Sequence, residues 1–270
     1  MRILVPFLSL LLLVSGVARA EYANINGIDM YYEIHGEGTP LVMLHGGYTD
    51  SDVWTIETGI LASAFQVIEI DSRGHGRSTD GDGPITYELM ADDTLKLLDE
   101  LGISNAHFAG WSDGAVIAAQ IAAFHPERVN RLVLIGAAFG GDTYVPLFSS
   151  VLGNELLFKT FADTTFGMKY KAINPEPEHW PVFRDKLYAL WRTDCYLPVN
   201  PEYCLEPLES INAPTLVMVG KQEIIRFDHT KAIVEAIPDA ELEVVYLAGH
   251  FLPETRPFTT AYKIWEFIQY

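Results

Sequence analysis

Cysteine is scarce in this chain, with two in 270 residues, and basic residues are few, 18 lysines and arginines against 36 aspartates and glutamates. Two cysteines exclude a disulfide-dense scaffold and any cysteine-ligated cluster. The net charge of −18 excludes nucleic acid as a partner, because phosphate backbones are bound by cationic surfaces. The same charge disfavours anionic lipid. There is no HExxH pair and no Cys/His grouping at metal-ligand spacing, so neither a metal nor any other cofactor is expected. Internal repeats and low-complexity tracts are also missing, which excludes solenoids and leaves no stretch that composition marks as disordered.

What is present begins with a leader. Met1-Arg2 is positive, residues 3–14 (ILVPFLSLLLLV) are apolar, and Ala18-Arg19-Ala20 offers the small residues read by a signal peptidase. Residues 1–20 therefore read as a signal peptide cut after Ala20, too short to serve as a stable membrane span. The mature chain is expected to be exported, periplasmic or secreted, and even more acidic after losing Arg2 and Arg19. Export favours a disulfide between Cys195 and Cys204, whose turn-rich intervening residues YLPVNPEY can bring the ends together. Two buried free thiols are the competing reading.

Beyond the leader, 49% hydrophobic residues in a chain of this length support a substantial core. Asn26-Gly27 between alternating flanks (22–34) signals a hairpin. Short apolar runs at 40–47, 65–71, 105–110, 131–136, 213–220 and 240–249 read as buried strands. Helical spacing appears at 86–102, 112–126, near 228–237 and at 254–268. Strands alternating with helices after an opening hairpin predict a mostly parallel eight-stranded sheet covered on both faces. The alternation breaks at 140–207, a stretch rich in aromatics, which reads as a helical cap inserted into a core of residues 21–139 and 208–270.

Residues 110–115, GWSDGA, follow the strand at 105–110 and open the helix at 112–126. A strand-to-helix reversal this tight forces an unusual backbone angle on Ser112, and the glycines two residues to either side remove clashing side chains. A serine that merely caps the helix is the bland alternative. A nucleophilic serine needs a base and an orienting acid. Of eight histidines, His250 alone follows the last strand, in AGHFLP, where the loops over the sheet gather. His45 in LHGG and His75 in GHG read as structural. The acid is expected at the end of the preceding strand, which places it at Glu223; Asp228, at the start of the next helix, is the alternative. Backbone amides of Gly47 and Asp113 are expected to form an oxyanion hole.

In this order, HGG, DSRGHGRS, GWSDG, PTLVMVG followed by KQE, and a late GH, the sequence resembles the α/β-hydrolase superfamily over residues 22–268. The resemblance implies the roles of nucleophile, acid and base for Ser112, Glu223 and His250. It departs from most relatives in carrying glutamate rather than aspartate at Glu223. GWSDG also resembles the elbow of valacyclovirase-like (biphenyl-hydrolase-like) enzymes, which implies a contact between Asp113 and a substrate amine; the competing reading is that Asp113 only favours the first turn of its helix.

The function expected is a serine hydrolase acting on a small ester-type molecule: a carboxylic ester, a lactone or an amino-acid ester. Alternatives on the same triad are a perhydrolase, an acyltransferase or a carbon–carbon hydrolase, and outside catalysis a ligand-binding protein of this fold.

Overall fold

The computed structural model describes residues 19–270. The leader expected over residues 1–20 lies outside the described residues except for Arg19 and Ala20, which pair with Ile34 and Glu33 at the start of the first strand. The strands are β1 Arg19–Ile25, β2 Ile28–His35, β3 Thr39–Leu44, β4 Phe65–Ile70, β5 Ala106–Trp111, β6 Val129–Ile135, β7 Thr215–Gln222 and β8 Ala240–Gly249. The helices are α1 Thr55–Leu61, α2 Tyr87–Glu100, α3 Asp113–Phe124, α4 Pro146–Leu152, α5 Glu155–Thr165, α6 Gly167–Ile173, α7 Trp180–Trp191, α8 Phe227–Ala236, α9 Leu252–Thr255 and α10 Pro257–Gln269.

The strands form one eight-stranded sheet in the order β1-β2-β4-β3-β5-β6-β7-β8. The pairs β1–β2 and β2–β4 are antiparallel, and every later pair is parallel. This is the mostly parallel α/β sheet expected from the alternation of elements. Asn26 and Gly27, both at positive φ, make the two-residue turn of the opening hairpin.

The central strands read as continuous apolar runs because both of their faces are covered. Along β3, Val42 and Leu44 enter the core beneath α2, α3 and α8, while Leu41 and Met43 enter the core beneath α1 and α10. The same alternation divides Phe108 from Ala109 on β5, and Leu132 and Leu134 from Val133 and Ile135 on β6.

Two helices differ from expectation. The last one is broken at Arg256 into α9 and α10, because Pro257 cannot donate to the turn before it and opens a new helix instead. The short α1 was not anticipated; its seven residues TIETGIL, with Gly59 inside, carry too little periodic signal.

Helices α4–α7 occupy the span between β6 and β7, over the loops that follow β3 and β4. Lys169 of α6 reaches the Asp50 carboxylate at 2.7 Å, and Lys186 of α7 reaches Asp80 at 2.6 Å. The Asn174 amide donates to the carbonyls of Gly76 and Ser78. Cys195 and Cys204 are joined by a disulfide, with Cα atoms 5.5 Å apart.

Candidate active site

Gly110 and Gly114 let β5, α3 and β3 approach closely. A Cβ on Gly110 would lie 2.1 Å from the Gly114 carbonyl oxygen, and one on Gly114 would lie 2.1 Å from that of Leu44. Between them Ser112 adopts φ 53° and ψ −116°, a conformation that side-chain-bearing residues avoid unless their surroundings enforce it. The enforcement is visible. The Ser112 N–H donates to the Ile135 carbonyl on β6 (2.8 Å), and the Ser112 carbonyl accepts from Ala115 (2.9 Å) in the first turn of α3. Ser112 therefore stands at the carboxyl end of the sheet, where open α/β sheets bind ligands.

His250 directly follows β8, and Glu223 directly follows β7. Ser112 Oγ lies 3.0 Å from His250 Nε2, and His250 Nδ1 lies 2.7 Å from Glu223 Oε1. The carboxylate also accepts the Ile224 N–H at 2.8 Å, which fixes its rotamer. A carboxylate facing Nδ1 holds a proton there and leaves the Nε2 lone pair free to accept the serine proton. The indole of Trp111 donates to the His250 carbonyl at 2.8 Å, so the residue before Ser112 anchors His250. Pairing of β7 with β8 is regular to Gly220↔Val245 and resumes at Gln222↔Gly249, so β8 spends two extra residues in a bulge. That bulge, with Leu247 at φ 56°, re-aims the chain just before His250. The Arg256 guanidinium holds it by donating to the Leu247 carbonyl at 2.8 Å.

Asp228, the alternative acid, stands elsewhere: in the first turn of α8, largely exposed, ion-paired with Arg226 at 3.3 Å. The Gly47 and Asp113 amides have no backbone acceptor among the described residues. Gly46 and Gly47 lie against the elbow: a Cβ on Gly46 would be 3.2 Å from Ser112 Cβ.

The Asp113 side chain departs from the expected place at the site mouth. It is 5% exposed, and its carboxylate accepts the Tyr87 hydroxyl (2.9 Å) and the Trp191 indole N–H (3.0 Å). Burial pushes its pKa up, and the Trp191 and Tyr87 hydrogen bonds act against that rise. Two donors from inside the protein, the Tyr87 hydroxyl and the Trp191 indole, thus face this carboxylate. Neither donor was legible beforehand, because Tyr87 and Trp191 come from helices distant in the chain and read only as apolar.

His45 and His75 are buried beneath the site. His45 Nε2 accepts the Ser72 N–H at 3.0 Å, and its Nδ1 bonds the Gly46 carbonyl at 2.8 Å, so the ring braces the glycine loop. Burial, with His45 alongside, holds His75 well below the ordinary imidazole range. Among the described residues, one group has metal-ligand spacing: Glu33, His35 and Glu69. It lies on β2 and β4, apart from the triad. The Glu69 and Glu33 carboxylates raise the His35 pKa against the desolvation that lowers it.

A model of the alpha/beta hydrolase fold matches residues 39–171. The 2-hydroxy-6-oxo-6-phenylhexa-2,4-dienoate hydrolase of Comamonas testosteroni is 28% identical over 269 residues, covering 88% of this chain and 90% of that protein. The crystal structure of the enol-lactonase from Burkholderia xenovorans is 25% identical with a TM-score of 0.72, covering 92% of this chain and all of that one. An N-acyl homoserine lactone degrading enzyme is 27% identical with a TM-score of 0.70, covering 91% and 99%. The fold, the position of the elbow on it and these likenesses together show that the chain belongs to the α/β-hydrolase superfamily.

Proposed function

We propose that this hydrolase is a serine enzyme that cleaves a small carboxylic ester, lactone or amino-acid ester through an acyl-enzyme. The reading is carried by one observation, the unbroken chain from Glu223 to His250 (2.7 Å) to Ser112 (3.0 Å). Ser112 Oγ attacks the acyl carbon as its proton passes to His250 Nε2. The amides of Gly47 and Asp113 hold the oxyanion, where one such donor is worth about 3 kcal/mol of barrier. The imidazolium then protonates the departing alkoxide, and a water activated by the same ring releases the acid. Likeness to an enol-lactonase and to a lactone-degrading enzyme favours small cyclic or short-chain esters. With the Asp113 carboxylate engaged by Tyr87 and Trp191, amino-acid esters hold no special advantage.

A fluorophosphonate probe is expected to label Ser112 in the wild type and not in His250→Ala, with the adduct located by mass spectrometry. Absence of labelling in a folded protein would overturn the reading. Carbon–carbon cleavage on the same triad is the second reading, supported by the Comamonas relative. A panel pairing p-nitrophenyl acetate and butyrolactones with a phenylhexadienoate separates the two by turnover.

Export with cleavage after Ala20 belongs to the same proposal. A disulfide suits an oxidising compartment, and a mature chain beginning at Glu21 is the expected product. An exported chain that still carries Met1 would overturn it.

A further inference from the structure

The loop proposed to carry one oxyanion donor is held by the cap as well as by the sheet. A Cβ placed on Gly47 would meet Asp113 Oδ2 at 2.4 Å and Trp191 Cζ2 at 2.5 Å, so the elbow carboxylate and the cap indole press on the same backbone atom. Those two groups are bonded to each other, the Trp191 N–H lying 3.0 Å from both oxygens of Asp113. The next residue, Tyr48, sits at φ 60°, a costly conformation for an aromatic residue. Its ring meets the Trp191 ring edge-on at 5.1 Å, and its hydroxyl donates to the Arg184 carbonyl of α7 at 2.7 Å. Asp113, Gly47, Tyr48 and Trp191 thus form a closed ring of contacts. Two of its members, Gly47 and Asp113, supply the proposed oxyanion amides.

We infer that Trp191 and the Asp113 carboxylate are a positioning pair through which cap helix α7 sets the oxyanion hole. Trp191 touches no reacting atom and acts through Asp113 and Gly47. The inference rests on the acyl-enzyme reading above. Because the pair fixes donors used only when charge develops on the oxygen, loosening it lowers turnover rather than substrate binding.

Trp191→Phe keeps an aromatic ring but removes both the N–H that Asp113 accepts and the Cζ2 that lies against Gly47. With p-nitrophenyl acetate, kcat is expected to fall about tenfold while KM changes less than twofold, and the rate of fluorophosphonate labelling to fall with kcat. In an Asp113→Ala background, which removes the acceptor, the same change is expected to cost less than twofold, since its partner is already gone. Equal labelling and turnover in Trp191→Phe and wild type would overturn the inference and leave the serine-hydrolase reading intact. So would additive losses in the double variant, or a loss confined to KM. A wild type that is never labelled overturns the underlying reading instead.

Discussion

A serine hydroxyl has little nucleophilic power at neutral pH, and in the proposed mechanism what Ser112 gains comes from His250 at 3.0 Å and from the carboxylate that fixes the ring. Ser112→Ala is accordingly expected to lower kcat/KM about ten-thousandfold or more, measured on whichever ester turns over best. Glu223→Gln, which no longer holds the Nδ1 proton, is expected to cost about a thousandfold, whereas Asp228→Asn leaves the rate within twofold. Reversed losses at these two positions would reassign the acid. A second residue-scale expectation concerns Glu57, fully buried, whose carboxylate oxygens have no hydrogen-bond partner among the described residues. Burial pushes its pKa up to about 8 from the ordinary 4.5. The folded state therefore prefers the protonated acid, and ionisation opposes folding progressively as pH rises from 4.5 to about 8. The penalty reaches at most about 5 kcal/mol. Glu57→Gln is expected to gain on the wild type in melting temperature as pH rises from 5 to 9; a gap that does not change with pH counts against a buried proton there.

At the scale of elements, glycines separate structural need from tolerance. Gly114 lies where β3 and α3 nearly touch, and an added Cβ would have to displace the backbone carbonyl of Leu44. Gly59, exposed in α1, has nothing within 4 Å of the same position. Gly59→Ala is expected to stabilise by about 0.5–1 kcal/mol, because alanine has less backbone entropy to lose. Gly114→Ala is expected to lower the melting temperature sharply, with catalysis lost alongside. Thermal melts of both variants check this pair. The glycine spacing around Ser112 was legible in the sequence because the chemistry of a tight turn restricts residue type locally. The bulge in β8 that aims His250 was not, since it depends on pairing between β7 and β8, and AELEVVYLAG reads as an unbroken strand.

For the molecule as a whole, α6 and α7 are held to the loops after β3 and β4 by Lys169–Asp50 and Lys186–Asp80, and the segment after α7 is closed on itself by the Cys195–Cys204 bridge. The bridged segment carries Tyr196, whose hydroxyl donates to the Trp191 carbonyl at 2.8 Å. Loop-closure entropy for a ring of this size is worth about 2–3 kcal/mol. Reduction with a phosphine is expected to lower the melting temperature by several degrees and to loosen the end of α7. An unchanged melting curve after complete reduction, verified by thiol titration, would mean that packing alone holds the segment.

The sequence by itself determined the class of sheet, the elbow serine and the chain order of Ser112, Glu223 and His250, which the structure brings together. Each of these is written in local signals: apolar runs, glycines at fixed spacing and strand-end residues. It also identified the two cysteines that the structure joins, but not that they were joined. Only the tertiary structure decided which way Asp113 faces. Its carboxylate has a choice between solvent and the interior, and Tyr87 and Trp191, from helices far away in the chain, supply the donors that make the interior the better place for it.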